Sequence, residues 1–296
     1  MAITLAEAAK LSNDVLLTGV IETIIYDSPV LQVLPFIEIV GNGLTYNREN
    51  AAPNADFYDV GDTWAESTPT FTQVTATLKI LGGDADVDNF LKATRSNLQD
   101  LEAAVVQLKA KAVQQKFDDT FINGDTAGDA KSFDGLDKLC VSGQSVSMGA
   151  SGGTLTLDKL DELMDKVKGG KPHILLMSRR SRRKLTSLSR ATGSGVLETD
   201  RNQLGQMVQY YNGIPVGVND WISDAKTVGG STDCSTIYAV QLGEGAAVGL
   251  TSPGGLTVER VGSLETKDAS RTRVKWYVSL ALFNTLKLAR LTGVRD

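Results

Sequence analysis

The sequence predicts an α+β fold, and three observations lead to this prediction. Residues 96–123 place apolar side chains at alternating steps of three and four, which is the spacing of one long amphipathic helix. The segments TQVTATLKI (72–80) and RTRVKWYVSLAL (271–282) alternate apolar with polar residues, as half-buried β-strands do. Between residues 157 and 242, segments with helical and strand periodicity follow one another, which indicates a mixed sheet covered by helices.

The first 35 residues are predicted to form an arm with a helix at 4–25. One side of this helix would be apolar, and Thr4 with Glu7 has the spacing of a capping box. Pro29 and Pro35 favour an extended exit from the arm. The apolar side needs a partner, so the arm is expected either to fold back on its own domain or to lie on a neighbouring subunit. That side consists of Leu5, Ala8, Leu11, Val15 and Leu16.

Residues 36–83 are predicted to be extended structure around one long loop. The segments 36–40 and 44–49 flank the turn Gly41-Asn42-Gly43 and are expected to pair as a hairpin, and the strand 72–80 follows. Residues 50–70 have no periodicity but contain aromatic residues, in which disordered segments are poor. A long loop of this kind usually has a function.

The helix at 96–123 is the longest regular element that the sequence predicts. Ser96 and Gln99 have the spacing of a capping box, and Gly124 suits a left-handed stop. At about 1.5 Å per residue the helix would be about 40 Å long, which spans a small domain. We therefore expect it to be a structural element. Its predicted buried stripe consists of Leu98, Leu101, Val105, Leu108 and Ala112.

A serine- and glycine-rich stretch at 141–153 marks a domain boundary, and a second α/β unit is expected to follow. This unit should contain a helix at 157–167, a buried strand in HILLMS (173–178) and a basic helix just after it. Strands are predicted in YYNGIPVGV (210–218) and TIYAVQL (236–242). The segment 271–282 should then form a long, half-buried strand near the end of the chain.

Bulk composition argues against several classes of protein. With 296 residues and 42% hydrophobic content, the chain can form one large or two ordinary domains. A net charge of −5 argues against nucleic-acid binding by overall attraction. Cys140 and Cys234 are too few for a disulfide framework and lack metal-ligand spacing, so we expect reduced thiols. There is no run of 18 apolar residues and no secretory signal at the start, so we expect neither a membrane span nor export.

In their order, these parts resemble the major capsid protein of tailed bacteriophages. The resemblance covers nearly the whole chain and rests on SPVLQVLPF (28–36), WAES (64–67), FINGD (121–125) with FDGL (133–136), YYNGIPVGVND (210–220) and ARLTGV (289–294). It implies the tailed-phage capsid fold: an N-terminal arm (1–35), and an extended β-hairpin loop, the E-loop, with its flanking strands (36–83). A peripheral domain with the long spine helix (84–135 with 266–296) and an axial α/β domain (136–265) would complete it.

The resemblance also implies a function: self-assembly into pentamers and hexamers of an icosahedral virus head around double-stranded DNA, without catalysis, cofactor or metal. The protein would assemble in the host cytoplasm and be found in the virion. Its partners would be further copies of the same chain, DNA through non-specific contacts, and the scaffolding, portal and decoration proteins that such shells use. Encapsulin nanocompartments, which enclose an enzyme cargo, share the fold and are the alternative.

Some members of the family carry an N-terminal scaffolding segment that is cut away. Nothing resembling that segment precedes the arm. Three explanations stay open at this point: a separate scaffold assists assembly, the given sequence lacks the segment, or no scaffold is needed.

Acidic, aromatic and basic side chains are the predicted contacts between subunits. The E-loop has no lysine and is acidic, so we expect it to meet lysines on a neighbour's spine helix. The basic helix is expected to be a solvated face or to pair with acidic neighbours, with packaged DNA as an alternative partner. The resemblance places it in the axial domain and implies subunit contacts around a capsomer axis before DNA contacts. The complete set is Glu49, Asp56, Phe57, Tyr58, Asp59, Asp62, Trp64, Glu66, Lys109, Lys111, Lys116, Arg179, Arg180, Arg182 and Arg183.

Three further patterns suggest chemistry and are not favoured. Ser151 lies in a GASGG segment that fits a nucleophile elbow, but the sole histidine, His173, begins an apolar strand, so a hydrolase is only the third hypothesis. GEGAAVG (243–249) lacks the strand-helix-strand unit of a dinucleotide site. Asp84, Asp86 and Asp88 open like a calcium loop, but the glycine and the glutamate that the loop requires are missing, and we expect helix capping instead.

Overall fold

The computed structural model describes residues 29–51, 53–89, 101–192, 197–201 and 207–295. The predicted arm helix at 4–25 and the predicted start of the spine helix at 96–100 lie outside these residues. In chain order the elements are α1 (Pro29–Val33), β1 (Phe36–Glu38), β2 (Gly43–Ala51), β3 (Thr70–Thr77), β4 (Lys79–Asp88), α2 (Leu101–Asn123), α3 (Leu136–Leu139), β5 (Ser145–Ser147), β6 (Gly153–Thr154), α4 (Leu157–Lys166), β7 (Ile174–Met177), α5 (Arg179–Thr192), β8 (Leu197–Arg201), β9 (Met207–Tyr211), β10 (Ile214–Val218), β11 (Lys226–Val228), β12 (Ser231–Val240), β13 (Ala247–Thr251), β14 (Thr257–Ser263), β15 (Ala269–Leu282) and β16 (Leu288–Arg295).

A five-stranded sheet is built around β15. β4 pairs antiparallel with one edge of β15, β13 and β14 pair with the other edge, and β1 joins β13 in parallel. The alternate side chains from Thr272 to Leu280 are buried, whereas Arg271 and Lys275 are half-buried and Arg273 is exposed. The prediction of a long, half-buried strand is therefore confirmed.

The spine helix α2 packs its aromatic residues against this sheet. Phe117 is fully buried, with its ring centroid 5.0 Å from that of Trp276 and 6.1 Å from that of Phe121. The buried stripe on the preceding turns is Val106, Ala110 and Val113.

The predicted stripe of this helix was displaced. Val105 is half-buried, whereas Leu108 is 68% exposed and Ala112 is exposed. A shift of one residue turns a helix by about 100°, and the line through Val106 continues into Phe117 and Phe121, whose large side chains bury more area. The helix thus has two apolar lines, and tertiary packing selected the one that ends in aromatic residues.

A nine-stranded sheet is covered by helices on one face. Its other face packs in a hydrophobic core that it shares with the spine helix and the five-stranded sheet. The strand order of the nine-stranded sheet is β5-β16-β12-β7-β10-β9-β8, with β6 also pairing with β16 and β11 with β12. Leu160, Leu163 and Leu185, on α4 and α5, pack against one face. Side chains of the opposite face, including Leu176 and Tyr238, belong to the same cluster as Phe117. The spine helix is thereby connected to both sheets.

Sheet membership differs from the predicted domain limits at two places. β13 and β14 lie within 136–265 but pair in the five-stranded sheet, and β16 lies within 266–296 but pairs in the nine-stranded sheet. A strand joins the sheet whose free edge it meets, which need not be the sheet of its sequence neighbours. The other predicted limits stay proposals.

Two predictions for the first part of the chain were wrong. The segment 36–40 does not pair with 44–49, because β1 pairs with β13 and β2 pairs antiparallel with β3. Pro29 does not exclude a helix but begins α1, since the first helical position needs no N–H donor. The predicted strand 72–80 is real but is interrupted at Leu78, between β3 and β4.

The glycines of FINGD and FDGL are needed for close packing at the end of the spine helix. Gly124 does not have the predicted left-handed conformation. A Cβ atom on Gly124 would instead lie 2.2 Å from the carbonyl oxygen of Phe133, and one on Gly135 would lie 2.5 Å from that of Thr120. The N–H of Gly135 donates to the carbonyl of Gly124 at 2.8 Å, so the two segments lock together.

Candidate assembly surfaces

The E-loop is the hairpin of β2 and β3 with the exposed segment 53–69 at its tip. The rings of Tyr58 and Trp64 stack with centroids 4.4 Å apart, and the N–H of Ala65 donates to the Tyr58 hydroxyl at 3.2 Å. Phe57 and Trp64 are nevertheless 107% and 77% exposed. The tip thus has internal order, but within the described residues its aromatic surface is not covered.

The predicted acidic residues lie along this same loop. Glu49, Asp56, Asp59, Asp62 and Glu66 are all exposed, and no lysine or arginine occurs between Arg48 and Lys79. Asp62 accepts the N–H of Asp59 at 2.7 Å, so its carboxylate also closes the turn at the tip. The tip is therefore an apolar and negatively charged surface.

The base of the E-loop is fastened to the end of β15. The carbonyl of Leu282 accepts from Arg48 Nε at 3.1 Å, from Arg48 Nη2 and from the Tyr46 hydroxyl at 3.0 Å. The Tyr46 ring also packs 4.8 Å from that of Phe283. This attachment was not predicted from the sequence, although Arg48 is the sole basic residue between Lys10 and Lys79.

The three predicted lysines of the spine helix do not form one patch. Lys109 lies over β4, where its side chain would be 2.9 Å from a Cβ atom on Gly83. Lys116 Nζ lies 3.1 Å from the carboxylate of Asp119 on an exposed part of the same helix. Lys111 is exposed, close to the exposed Leu108. Lys111 and Lys116 are thus the basic groups on the outer side of α2.

Asp84 and Asp86 of β4 form ion pairs across the five-stranded sheet, whereas the helix that the three aspartates were predicted to cap lies outside the described residues. Asp84 pairs with Arg273 and Asp86 pairs with Arg271, each through two hydrogen bonds of 2.6–2.9 Å. These hydrogen bonds hold the pKa of both carboxyl groups below their ordinary values. Strand register decides this arrangement, because Asp84 lies directly opposite Arg273 and Asp86 opposite Arg271.

Two arginines of the basic helix α5 pair with carboxylates of the same subunit. Arg179 makes two hydrogen bonds of 2.6 and 2.7 Å to Asp220 and thereby holds the pKa of that carboxyl below its ordinary value. Arg180 Nε lies 3.6 Å from Asp224. Arg182 and Arg183 are exposed on the outer side of the helix. Arg179 and Arg180 thus pair within their own chain, and the predicted contacts of this helix with another subunit stay a prediction.

The geometry does not bring the residues of the hydrolase hypothesis together. Ser151 lies in a turn between β5 and β6, without the strand-turn-helix context of a nucleophile elbow. Gly153 pairs with Val294 at one end of β16, whereas the N–H of His173 donates to Val240, which pairs with Leu288 at the other end. At about 3.3 Å per residue, these positions are roughly 20 Å apart. Among the described residues no three His, Cys, Asp or Glu side chains are grouped to hold a metal ion.

Comparisons with known proteins identify the family of this chain. A family model described as the phage capsid family matches residues 11–285. The chain belongs to the phage capsid family. It is thus a shell protein and a structural component of the virion, as predicted. No match is found among curated proteins.

Solved structures show that this capsid protein has the tailed-phage capsid fold. It is similar to the SrpI encapsulin complex of Synechococcus elongatus PCC 7942, with a TM-score of 0.72 and 19% identity over 90% of this chain and 88% of that chain. For Microbacterium phage Oxtober96 the TM-score is 0.65, with 16% identity over 91% of both chains. The capsid of a native GTA particle gives a TM-score of 0.64 and 13% identity over 90% of both chains.

A partly buried ion cluster connects two segments that carried the resemblance. Asp137 follows FDGL and accepts from Arg290 of ARLTGV at 3.0 Å and from the Tyr238 hydroxyl at 2.9 Å, while Lys226 lies 3.1 Å away. Burial alone would raise the pKa of Asp137, but these three partners hold it below its ordinary value. In this capsid protein the cluster ties the end of the spine helix to the nine-stranded sheet.

In the described part of the chain, no helix has both the length and the apolar character needed to cross a bilayer.

Proposed function

We propose that this capsid protein forms an icosahedral head of pentamers and hexamers that encloses double-stranded DNA. The observation that carries the proposal is the E-loop: a two-stranded arm fastened at its base, whose tip exposes Phe57 and Trp64. A contiguous exposed apolar surface on a loop that points away from its own core is typical of a protein–protein contact. Binding energy between identical subunits, and not catalysis, is the proposed basis of its function.

The outer side of a neighbour's spine helix is the proposed partner of the E-loop tip. Leu108 offers an exposed apolar side chain there, and Lys111 and Lys116 offer positive charge to the acidic tip. Lys109 does not belong to this contact because it lies over its own β4. Each exposed pair would contribute about 0–1 kcal/mol, so the contact depends on repetition around the shell.

The remaining partners of the shell are proposed from the family alone. DNA would be held through non-specific contacts inside the head, and scaffolding, portal and decoration proteins would act with the capsid protein during assembly in the host cytoplasm. The predicted arm would lie on a neighbouring subunit, because its apolar side needs cover.

An encapsulin-like compartment is the second candidate, and the similarity to the SrpI encapsulin complex favours it. The two candidates differ in what the shell would enclose, which is double-stranded DNA in a virus head and an enzyme in a compartment. The test is electron microscopy of particles from the native source, followed by nuclease treatment and analysis of what remains inside. Protected double-stranded DNA supports the head, an enclosed enzyme supports the compartment, and a native source in which this chain is in no closed shell contradicts both.

A further inference from the structure

The two helices on the outer face of the nine-stranded sheet carry opposite charge. The four carboxylates of α4 are exposed, its two lysines, Lys159 and Lys166, are half-buried, and the apolar side chains Leu160 and Leu163 are buried beneath them. α5 contains no carboxylate at all, and its exposed charged side chains are arginines. The acidic face is Asp158, Asp161, Glu162 and Asp165; the basic face is Arg182, Arg183 and Arg190.

Within the described part of the subunit, Arg182 and Arg190 of the basic face do not pair with the acidic face. Arg179 and Arg180, on the same helix, pair with Asp220 and Asp224. Among the described residues, neither Arg182 nor Arg190 has a carboxylate partner. On α4, Glu162 pairs with Lys159 and Asp161 accepts the hydroxyl of Tyr211 at 2.7 Å.

The position of the two faces makes them distinct surfaces. α4 packs over β16 and β5, whereas α5 packs over β10, and β12 and β7 lie between these strands in the sheet. Beside α4 is a cleft of about 430 Å³, with Asp161 and Asp165 in its wall and Met164 and Ile214 among its apolar lining. Lys168 and Lys171 also line this cleft, and Lys171 Nζ donates to the carbonyl of Asn212 at 3.4 Å. The two lysines balance the two carboxylates of the cleft, so the acidic face consists of the exposed carboxylates of α4 and not of the cleft.

We propose that the basic face of one copy docks on the acidic face of the next copy and that this contact closes the capsomer ring. The inference rests on the proposed function, since it names the contact that joins subunits within each pentamer and hexamer. Two different, complementary patches on one subunit generate a head-to-tail interface, which closes into a ring when the rotation allows it. Complementary charge also fixes the register and raises the association rate, and these effects decrease with salt.

Charge reversal tests the contact in full-length protein. The basic-face variant carries Arg182→Glu and Arg190→Glu, the acidic-face variant carries Asp158→Arg and Asp165→Arg, and a combined variant carries all four. Because like charges would face each other, each one-sided variant should assemble at least about tenfold less than the wild type. The combined variant restores opposite charges with reversed sign and should assemble again. Sedimentation velocity measures rings, and electron microscopy measures shells.

Mixing the two one-sided variants gives a sharper result. In an equal mixture each contact can pair unlike charges only when the two variants alternate around the ring. Alternation closes for six subunits and fails for five. The mixture should therefore form six-membered rings but no closed shells.

Control variants and measurements distinguish loss of the contact from loss of folding and from a change in net charge. Lys131→Glu with Lys267→Glu changes the net charge by the same amount as the basic-face variant, at exposed positions away from α4 and α5, and should assemble normally. Circular dichroism and the thermal midpoint of unassembled subunits report folding. Should a reversal unfold the chain, the neutral pairs Arg182→Gln with Arg190→Gln and Asp158→Asn with Asp165→Asn must each lower the salt concentration at which shells dissociate.

The outcomes distinguish this inference from the proposed function. If the wild type forms no shells even together with the other head proteins of its native source, the proposed function fails. If the wild type and both one-sided variants form shells with equal yield and salt tolerance, the ring contact alone is refuted. Failure of the combined variant to recover also refutes it. Normal shells of the basic-face variant that have lost DNA would assign α5 to nucleic acid and would overturn the inference.

Discussion

Replacing Phe117 by alanine should remove a large part of the stability of the subunit, whereas the same truncation at Leu108 should not. Phe117 is 0% exposed, and its ring centroid lies 5.0 Å from that of Trp276 and 5.9 Å from that of Phe133. Truncating a buried phenylalanine costs about 3–5 kcal/mol, because packing is lost and a cavity remains. Leu108 is 68% exposed, so its truncation should change the free energy of unfolding by no more than about 0.5 kcal/mol.

The comparison is made on unassembled subunits in urea, because association would stabilise the folded state and hide the difference. Tryptophan fluorescence reports unfolding directly, since Trp276 packs against Phe117. The two variants differ in assembly as well, because Leu108→Ala should fold normally and form fewer shells if the E-loop docks there. An equal loss of unfolding free energy in both variants would refute the assigned helix register, as would wild-type stability of Phe117→Ala.

Four other predictions concern bonds, charge, pH and close packing. Boiled, reduced shells should run as one band near 31.6 kDa, because no lysine lies between Lys10 and Lys79 to form an E-loop crosslink; a ladder of covalent oligomers contradicts this. Replacing the three aspartates of the E-loop tip by asparagine should lower the salt concentration at which shells dissociate, while shells of unchanged salt tolerance would exclude an ionic contact. The pKa of Asp137 is lower in the folded state than in the unfolded state. Its contribution to the free energy of unfolding is therefore present above the unfolded pKa and is lost as the pH falls through the folded pKa. Asp137→Asn should therefore flatten acid unfolding curves below about pH 4, and an unchanged pH dependence would argue against the cluster. Gly135→Ala should destabilise the subunit in thermal unfolding, because its Cβ would lie 2.5 Å from the carbonyl oxygen of Thr120, whereas Gly143→Ala, with open space around it, should not.

The local periodicity of the sequence determined which segments became helices and strands, and several bounds followed closely. The spine helix ends at Asn123, α4 covers 157–166 of the predicted 157–167, and the alternation around Trp276 gave the buried face of β15 correctly. Composition and the order of the parts were also enough to indicate the capsid family. These features depend on residues that are close in sequence, where spacing translates directly into a face.

Only the tertiary structure decided which strands pair and which apolar line of a helix is buried. β1 pairs with β13 across about two hundred residues, and no local signal distinguishes this partner from the nearby β2. The aspartates of β4 have the spacing of a cap or a calcium loop, but the register of β4 on β15 places Asp84 and Asp86 opposite arginines. The spine helix offers two apolar lines, and Phe117 is buried, with Leu108 outside, because the volume between the two sheets is filled best by aromatic rings. Long-range packing has no sequence period, which is why these features could not be predicted from the chain alone.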